Sequence, residues 1–175
     1  VKEEKGNKKF IRRKKPANRD KASLLESAIY QLEDDFPNKE ECEAMALRLC
    51  ITWVNRLLFL KLVESQILMY QKGDASYRFM STDKIANFDE LNIFFFKVLG
   101  KKIEDRDEDV LKRYPNVPYL NSSLFEPTED EKYLKIRGIP DAQMEIFNKT
   151  VLKDERGKRA KGTLPNLDYI FKFLD

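Results

Sequence analysis

Apolar residues crowd the stretch from Leu47 to Tyr70 more densely than a helix with one buried face requires. Only Arg48, Thr52, Asn55, Arg56, Lys61, Glu64, Ser65 and Gln66 interrupt it, and no Gly or Pro falls between Asn38 and Lys72. The pattern predicts one long helix over about 38–72, apolar nearly all round and therefore buried, with other helices packed about it. Asn38 with Glu41 three residues on is a capping-box start. Lys72-Gly73 is a C-cap glycine stop, with Lys72 in the last turn.

The flanking patterns are shorter. Leu24, Leu25, Ala28, Ile29 and Leu32 recur at helical spacing, which predicts a helix capped by Asp20 and running to about Asp35 before Pro37. Tyr77–Met80 holds at most a short element, and Ser81 or Thr82 starts a turn through Ile85. Asn87 or Asp89 opens a further helix with Phe88, Leu91, Phe95 and Leu99 on one side; Ile93, Phe94, Phe96 and Val98 widen that face, and Gly100 is its C-cap. Glu104–Tyr114 reads as a short charged helix. Pro115, Pro118 and Pro127 then forbid a regular helix, and Tyr119, Leu120, Leu124 and Phe125 would pin this segment into the core as an ordered loop. A helix is expected over Asp141–Phe147, after Pro140. Thr150–Thr163, with a turn at Arg156-Gly157, admits a short hairpin. Pro165 belongs to the first turn of a closing helix whose core face is Leu167, Ile170, Phe171 and Leu174. The fold class expected is mainly α: a helical bundle around the long central helix, an ordered Pro-rich loop and room for one short β-hairpin.

Composition narrows the class. The chain of 175 residues suits one core, and 42% apolar with 36% charged residues argues against wholesale disorder. Net charge is +3, but it is unevenly placed: residues 1–21 hold ten Lys/Arg against three Asp/Glu, leaving the remainder mildly acidic. Residues 1–19 are therefore read as a basic linker or tail and 20–175 as the helical domain. Lys8, Lys9, Arg12, Arg13, Lys14 and Lys15 in the tail are candidate phosphate contacts. So are Lys153, Arg156, Lys158 and Arg159, with Lys161, near the far end, since such clusters release counterions on binding nucleic acid. The plainer alternative for the tail is a solvated linker, and its single aromatic, Phe10, is too little for base stacking. Arg56, Lys61 and Glu64 break the apolar run, so no membrane span is expected. No apolar segment follows the basic start as a secretory signal would require. Cys42 and Cys50 lie about 12 Å apart along one helix, too far for a disulfide, so buried reduced thiols and a cytoplasmic location are expected. The start at Val1 and the stop at Asp175 inside a helical pattern point to a fragment of a larger protein.

Little chemistry is visible. The chain has no His and no close Cys pair, which excludes a zinc site of the usual kind and a His-based triad. Neither GxGxxG nor a Walker pattern occurs. Asp105, Asp107, Glu108 and Asp109 lack the glycine and terminal glutamate of a calcium loop, and the dipole of a helix N-terminus accounts for them. Asp154-Glu155-Arg156 and Asp130-Glu131-Lys132 match a nuclease motif poorly. The reading is non-catalytic, with no cofactor of its own.

Three stretches resemble a known family. Asn55–Glu64, NRLLFLKLVE, is similar to the NRLLFLKxLE helix of type IIG restriction–modification enzymes, in which a PD-(D/E)xK nuclease and an N6-adenine methyltransferase share one polypeptide. Val117–Glu126, VPYLNSSLFE, resembles their (I/V)PYLNGGLFE signature. Tyr169–Asp175 resembles the segment that leads into their methyltransferase domain. Order and spacing agree over roughly residues 45–175. The resemblance implies a connector between nuclease and methyltransferase, with double-stranded DNA as partner and with S-adenosylmethionine and Mg2+ serving the flanking domains. The family's catalytic signatures are absent here. Ser122-Ser123 replaces the usual Gly-Gly, which would strain the turn if it needs positive φ. In that frame Asn55 and Arg56 gain a structural role: a guanidinium on a buried helix must be paired, with a carboxylate or with carbonyls of the 117–125 loop. A helical protein-interaction module without a nucleic-acid role is the alternative from another class. A free-standing enzyme is disfavoured by the missing site chemistry.

Overall fold

The computed structural model describes residues 22–120, 122–154 and 156–175. They are mainly helical, with one small antiparallel sheet. Helix α1, Leu24–Leu32, is capped by Ser23, whose hydroxyl accepts from the Glu26 N–H at 3.3 Å. It begins later and ends earlier than the spacing predicts. A side-chain acceptor three residues before Glu26 sets the start, and the expected cap, Asp20, lies outside the described residues. Ala28, Ile29 and Leu32 face the core.

Helix α2, Lys39–Tyr70, is the long central helix, 32 residues without a break. Asn38 caps it as expected, its side-chain oxygen accepting from Glu40 and Glu41 N–H. The stop differs from the expectation. Gln71 is the C-cap, Lys72 N–H reaches the Met69 carbonyl and Gly73 N–H the Leu68 carbonyl at 2.8 Å. This is the Schellman pattern, and Lys72, not a glycine, takes its first left-handed position with φ 54°, followed by Gly73 at 83°.

The helix is also not buried all round. Cys42, Ala46, Leu49, Trp53, Arg56, Leu57, Leu60 and Glu64 form its inner face. Leu47, Ile51, Val54, Leu58 and Leu62 stand 41–66% exposed on the outer face. The other described residues supply partners for one side only.

Helix α3, Phe88–Ile93, is capped by Asn87, while Glu90 reaches back to the Ala86 N–H at 2.7 Å. It widens into a π turn over Phe94–Leu99, closed by the Gly100 N–H on the Phe95 carbonyl. Gly100 has ordinary φ and is no left-handed cap. A glycine fits there because a Cβ would sit 2.8 Å from the Phe125 carbonyl oxygen. The 115–127 loop runs alongside, tied by Leu120 N–H to the Leu99 carbonyl, with Phe125 in a short 3-10 turn, Ser123–Phe125, buried against Phe95. Ser122 is extended at φ −144°, and its hydroxyl accepts from the Leu124 N–H. Serine brings no strain at that position.

The charged segment after the π turn divides into a 3-10 turn, Ile103–Asp105, and helix α4, Glu108–Arg113. Asp141–Phe147 is not helical. Its centre forms β1, Gln143–Glu145, paired antiparallel with β2, Thr163–Pro165, and Met144 stands opposite Leu164. Local helix-forming residues yield here to a distant partner strand. Pro165 ends β2 and is the N-cap of helix α5, Asn166–Leu174, one position before the first turn where it was expected; Asp141 accepts the Leu167 N–H in place of a cap side chain. Leu167 and Phe171 are buried, with Ile170 and Leu174 packed against the core. No helix of the described residues is long and apolar enough to cross a membrane.

Candidate functional site

The inner face of α2 carries polar side chains into the core at helical spacing. Arg56 is fully buried and makes four bonds, two to one carboxylate and two to loop carbonyls. Nη1 and Nη2 bind the two oxygens of Glu131 at 2.5 and 2.9 Å. Nε donates to the Leu124 carbonyl at 2.6 Å and Nη2 to that of Glu126 at 2.9 Å. The guanidinium also lies 5.4 and 5.0 Å from the ring centres of Phe95 and Phe96. One side chain thus joins α2, the π turn, the loop and the short turn Asp130–Lys132. Trp53 Nε1 and both the N–H and the hydroxyl of Thr128 complete the shell of Glu131. Burial pushes that carboxyl up, but the Arg56 hydrogen bond, the Thr128 N–H, the Arg56 charge and Trp53 together outweigh it and hold it below the usual glutamate range.

A second cluster sits two turns further along. Glu64, fully buried, accepts from the N–H groups of Phe79 and Met80, both at 2.7 Å, and from Lys61 at 3.3 Å. Lys61 also binds Asp175, which receives Arg78 on both oxygens. Hydrogen bonding from Lys61, opposed by burial and aided by Arg78, holds the Asp175 carboxyl low. The outer Arg48–Asp130 pair is exposed and contributes little. Cys42 and Cys50 are buried thiols not joined in a disulfide, and burial pushes the Cys50 thiol up to about 12.

Asn55, expected to share the structural pairing of Arg56, does not. It faces solvent on the outer side of α2, one-quarter turn away from the inner face, and makes no side-chain hydrogen bond among the described residues. Glu131, Trp53, Glu64 and Lys61 were the participants not singled out from sequence. Glu64 carried a signal: with Trp53, Arg56 and Leu60 it keeps the spacing of the buried face. Glu131 carried none, being one acid in a charged turn.

The basic residues divide. Lys8, Lys9, Arg12, Arg13, Lys14 and Lys15 lie outside the described residues. Lys153, Arg156, Lys158 and Arg159 come together, all exposed, on a hairpin whose arms meet at a Lys153–Arg159 bridge and whose turn uses Gly157 at φ 71°. Asp154 accepts the N–H groups of Arg156 and Lys158 and closes that turn. Among the described residues no three of Cys, Asp and Glu gather to hold a metal ion, and Asp105, Asp107, Glu108 and Asp109 are all exposed.

A third feature is apolar. Val54, Leu57 and Leu58 of α2 with Tyr169, Ile170, Phe173 and Leu174 of α5 line a shallow groove, continuous with the exposed strip of α2.

No curated protein and no solved structure matches the chain. The family described as "Domain of unknown function (DUF7814)" matches it over residues 1–175, and the chain belongs to that family.

Proposed function

We propose that this domain is a non-catalytic helical connector of a type II restriction–modification polypeptide, set between a nuclease and an adenine-specific methyltransferase. The observation that supports it is the Arg56 clamp. The two stretches that resemble the type IIG family, the α2 helix and the VPYLNSSLFE loop, are the two that Arg56 fastens together. A connector that fixes two active sites along DNA must not flex, and a buried bidentate pair with two carbonyl bonds resists bending between its elements. The domain contacts double-stranded DNA through phosphates, and S-adenosylmethionine and Mg2+ belong to the flanking domains. The polypeptide works in the cytoplasm.

The coding sequence on either side provides the first test: a PD-(D/E)xK nuclease before and an NPPY motif after are expected, and neither being present would end this reading. Within such a polypeptide Arg56→Ala should lower stability or change the distance between recognition and cleavage. Normal stability, cleavage position and methylation in that variant would show that the clamp does not set the relation.

The exposed apolar strip of α2 favours a second reading, a helical protein-interaction module without a nucleic-acid role. A contiguous apolar surface of this length is a feature of interaction sites. Failure to bind duplex DNA at low salt, with a partner lost on Leu58→Glu, would select it.

A further inference from the structure

The hairpin at 150–163 carries its cations in an arrangement that the count of charges does not convey. Lys153 and Arg159 face each other across the two arms. The backbone bonds on either side, Asp154 N–H to the Lys158 carbonyl at 2.7 Å and Ala160 N–H to the Leu152 carbonyl at 2.9 Å, make theirs a non-hydrogen-bonded pair. In such pairs the facing Cα atoms are about 4.5 Å apart and the side chains are at their closest. Like charges placed directly opposite destabilise a hairpin. Neither cation has an ion-pair partner among the described residues, and both are exposed. Lys158, by contrast, stands opposite Asp154, whose carboxylate caps the turn on that face. The four basic residues are therefore not equivalent. Two share a face with a carboxylate or sit at the tip, and two form a cationic pair with no carboxylate partner among the described residues.

Building on the proposed contact with double-stranded DNA, we propose that Lys153 and Arg159 form a clamp that brackets the phosphate backbone of the duplex from one face of the hairpin. A phosphate between them relieves the repulsion that the free hairpin carries, so the bound state gains what the free state lacks. Arg156 and Lys158 contribute only long-range attraction. The contact reads no bases: it uses charge alone and is sequence-independent.

The test uses the full 175-residue chain, a short fluorescent duplex and anisotropy at several salt concentrations. The double variant Lys153→Ala/Arg159→Ala should lose affinity about tenfold or more at low salt and reduce the salt-dependence slope by about two. Arg156→Ala/Lys158→Ala removes the same charge and should change affinity by roughly threefold at most, with a near-unchanged slope. Arg159→Glu sets opposite charges face to face. It should hold or raise the melting temperature while binding is lost, which a merely structural role for Arg159 would not produce. Equal losses in the two double variants would overturn the clamp and leave DNA contact standing. No binding by the unmodified chain would overturn both. Binding to phosphatidylserine vesicles but not to duplex, with the same dependence on Lys153 and Arg159, would assign the pair to lipid phosphate and overturn the DNA proposal.

Discussion

Arg56 and Glu131 are both buried, so each supplies the counterion that the other's burial requires. Removing one partner leaves a buried charge without its counterion, which costs about 3–5 kcal/mol, whereas replacing both by apolar groups costs far less. Arg56→Met and Glu131→Leu should each lower urea-unfolding stability by that order, and the double variant by clearly less than their sum. Additive losses would mean that the carbonyls of Leu124 and Glu126, not Glu131, carry the clamp. The same pair sets a pH dependence. Because the folded state holds Glu131 below its ordinary range, its contribution is complete above the unfolded value of about 4.3 and is lost as pH falls through the lower folded value. Glu131→Gln should therefore be less stable than the parent at neutral pH and converge on it in acid, as followed by melting temperature from pH 7 down to pH 2. A gap of constant size across that range would refute the linkage.

At the scale of elements, both ends of the long helix could be read from the chain, but not how the second is built. The start is local chemistry, an Asn followed by acids, and it is visible in any short window. At the stop, a lysine occupies the left-handed position that glycine usually takes, with φ 54°. Lys72→Gly should stabilise the domain by about 0.5–1 kcal/mol in denaturant unfolding, since the left-handed penalty of a side chain exceeds the entropy that glycine adds to the unfolded state. No gain would mean that the Lys72 side chain makes up the difference. Gly100 teaches a related point. It looked like a helix cap, but its role is set by a carbonyl from residue 125, and nothing within one turn of Gly100 reports that. Gly100→Ala forces Cβ to 2.8 Å from that oxygen, which should cost about 1–3 kcal/mol by pushing the loop away. The π turn was equally hidden: Phe94, Phe95 and Phe96 are apolar in a row, so hydrophobic phase cannot distinguish a wider winding from an ordinary one. Strand β1 was missed because its partner is some twenty residues away, and Gln-Met-Glu in isolation favours a helix.

For the whole molecule, the mainly α class and the central helix followed from apolar density, which also indicated too much burial. Density says how much surface must leave water, not whether this chain or another covers it. Leu47, Ile51, Val54, Leu58 and Leu62 recur every three or four residues along about 22 Å of helix and remain open. In the isolated domain they are 41–66% exposed, so Ile51→Lys and Leu58→Lys should each leave unfolding free energy within about 0.5 kcal/mol and improve solubility. Leu57→Lys, one position round and 2% exposed, should unfold the domain, because it places an unpaired ammonium in the core. That contrast fixes which face belongs to the fold. The same outer-face variants then separate the two functional readings when placed in the proposed restriction–modification polypeptide. In a connector, the strip is covered by a flanking domain, and Leu58→Lys should lower the stability of the whole chain and uncouple cleavage distance from the recognition site. In an interaction module, whole-chain stability is unchanged and binding to a separate protein is lost. The hairpin clamp is untouched in either case, so duplex affinity measured on the same variant reports whether DNA contact is independent of what covers the helix.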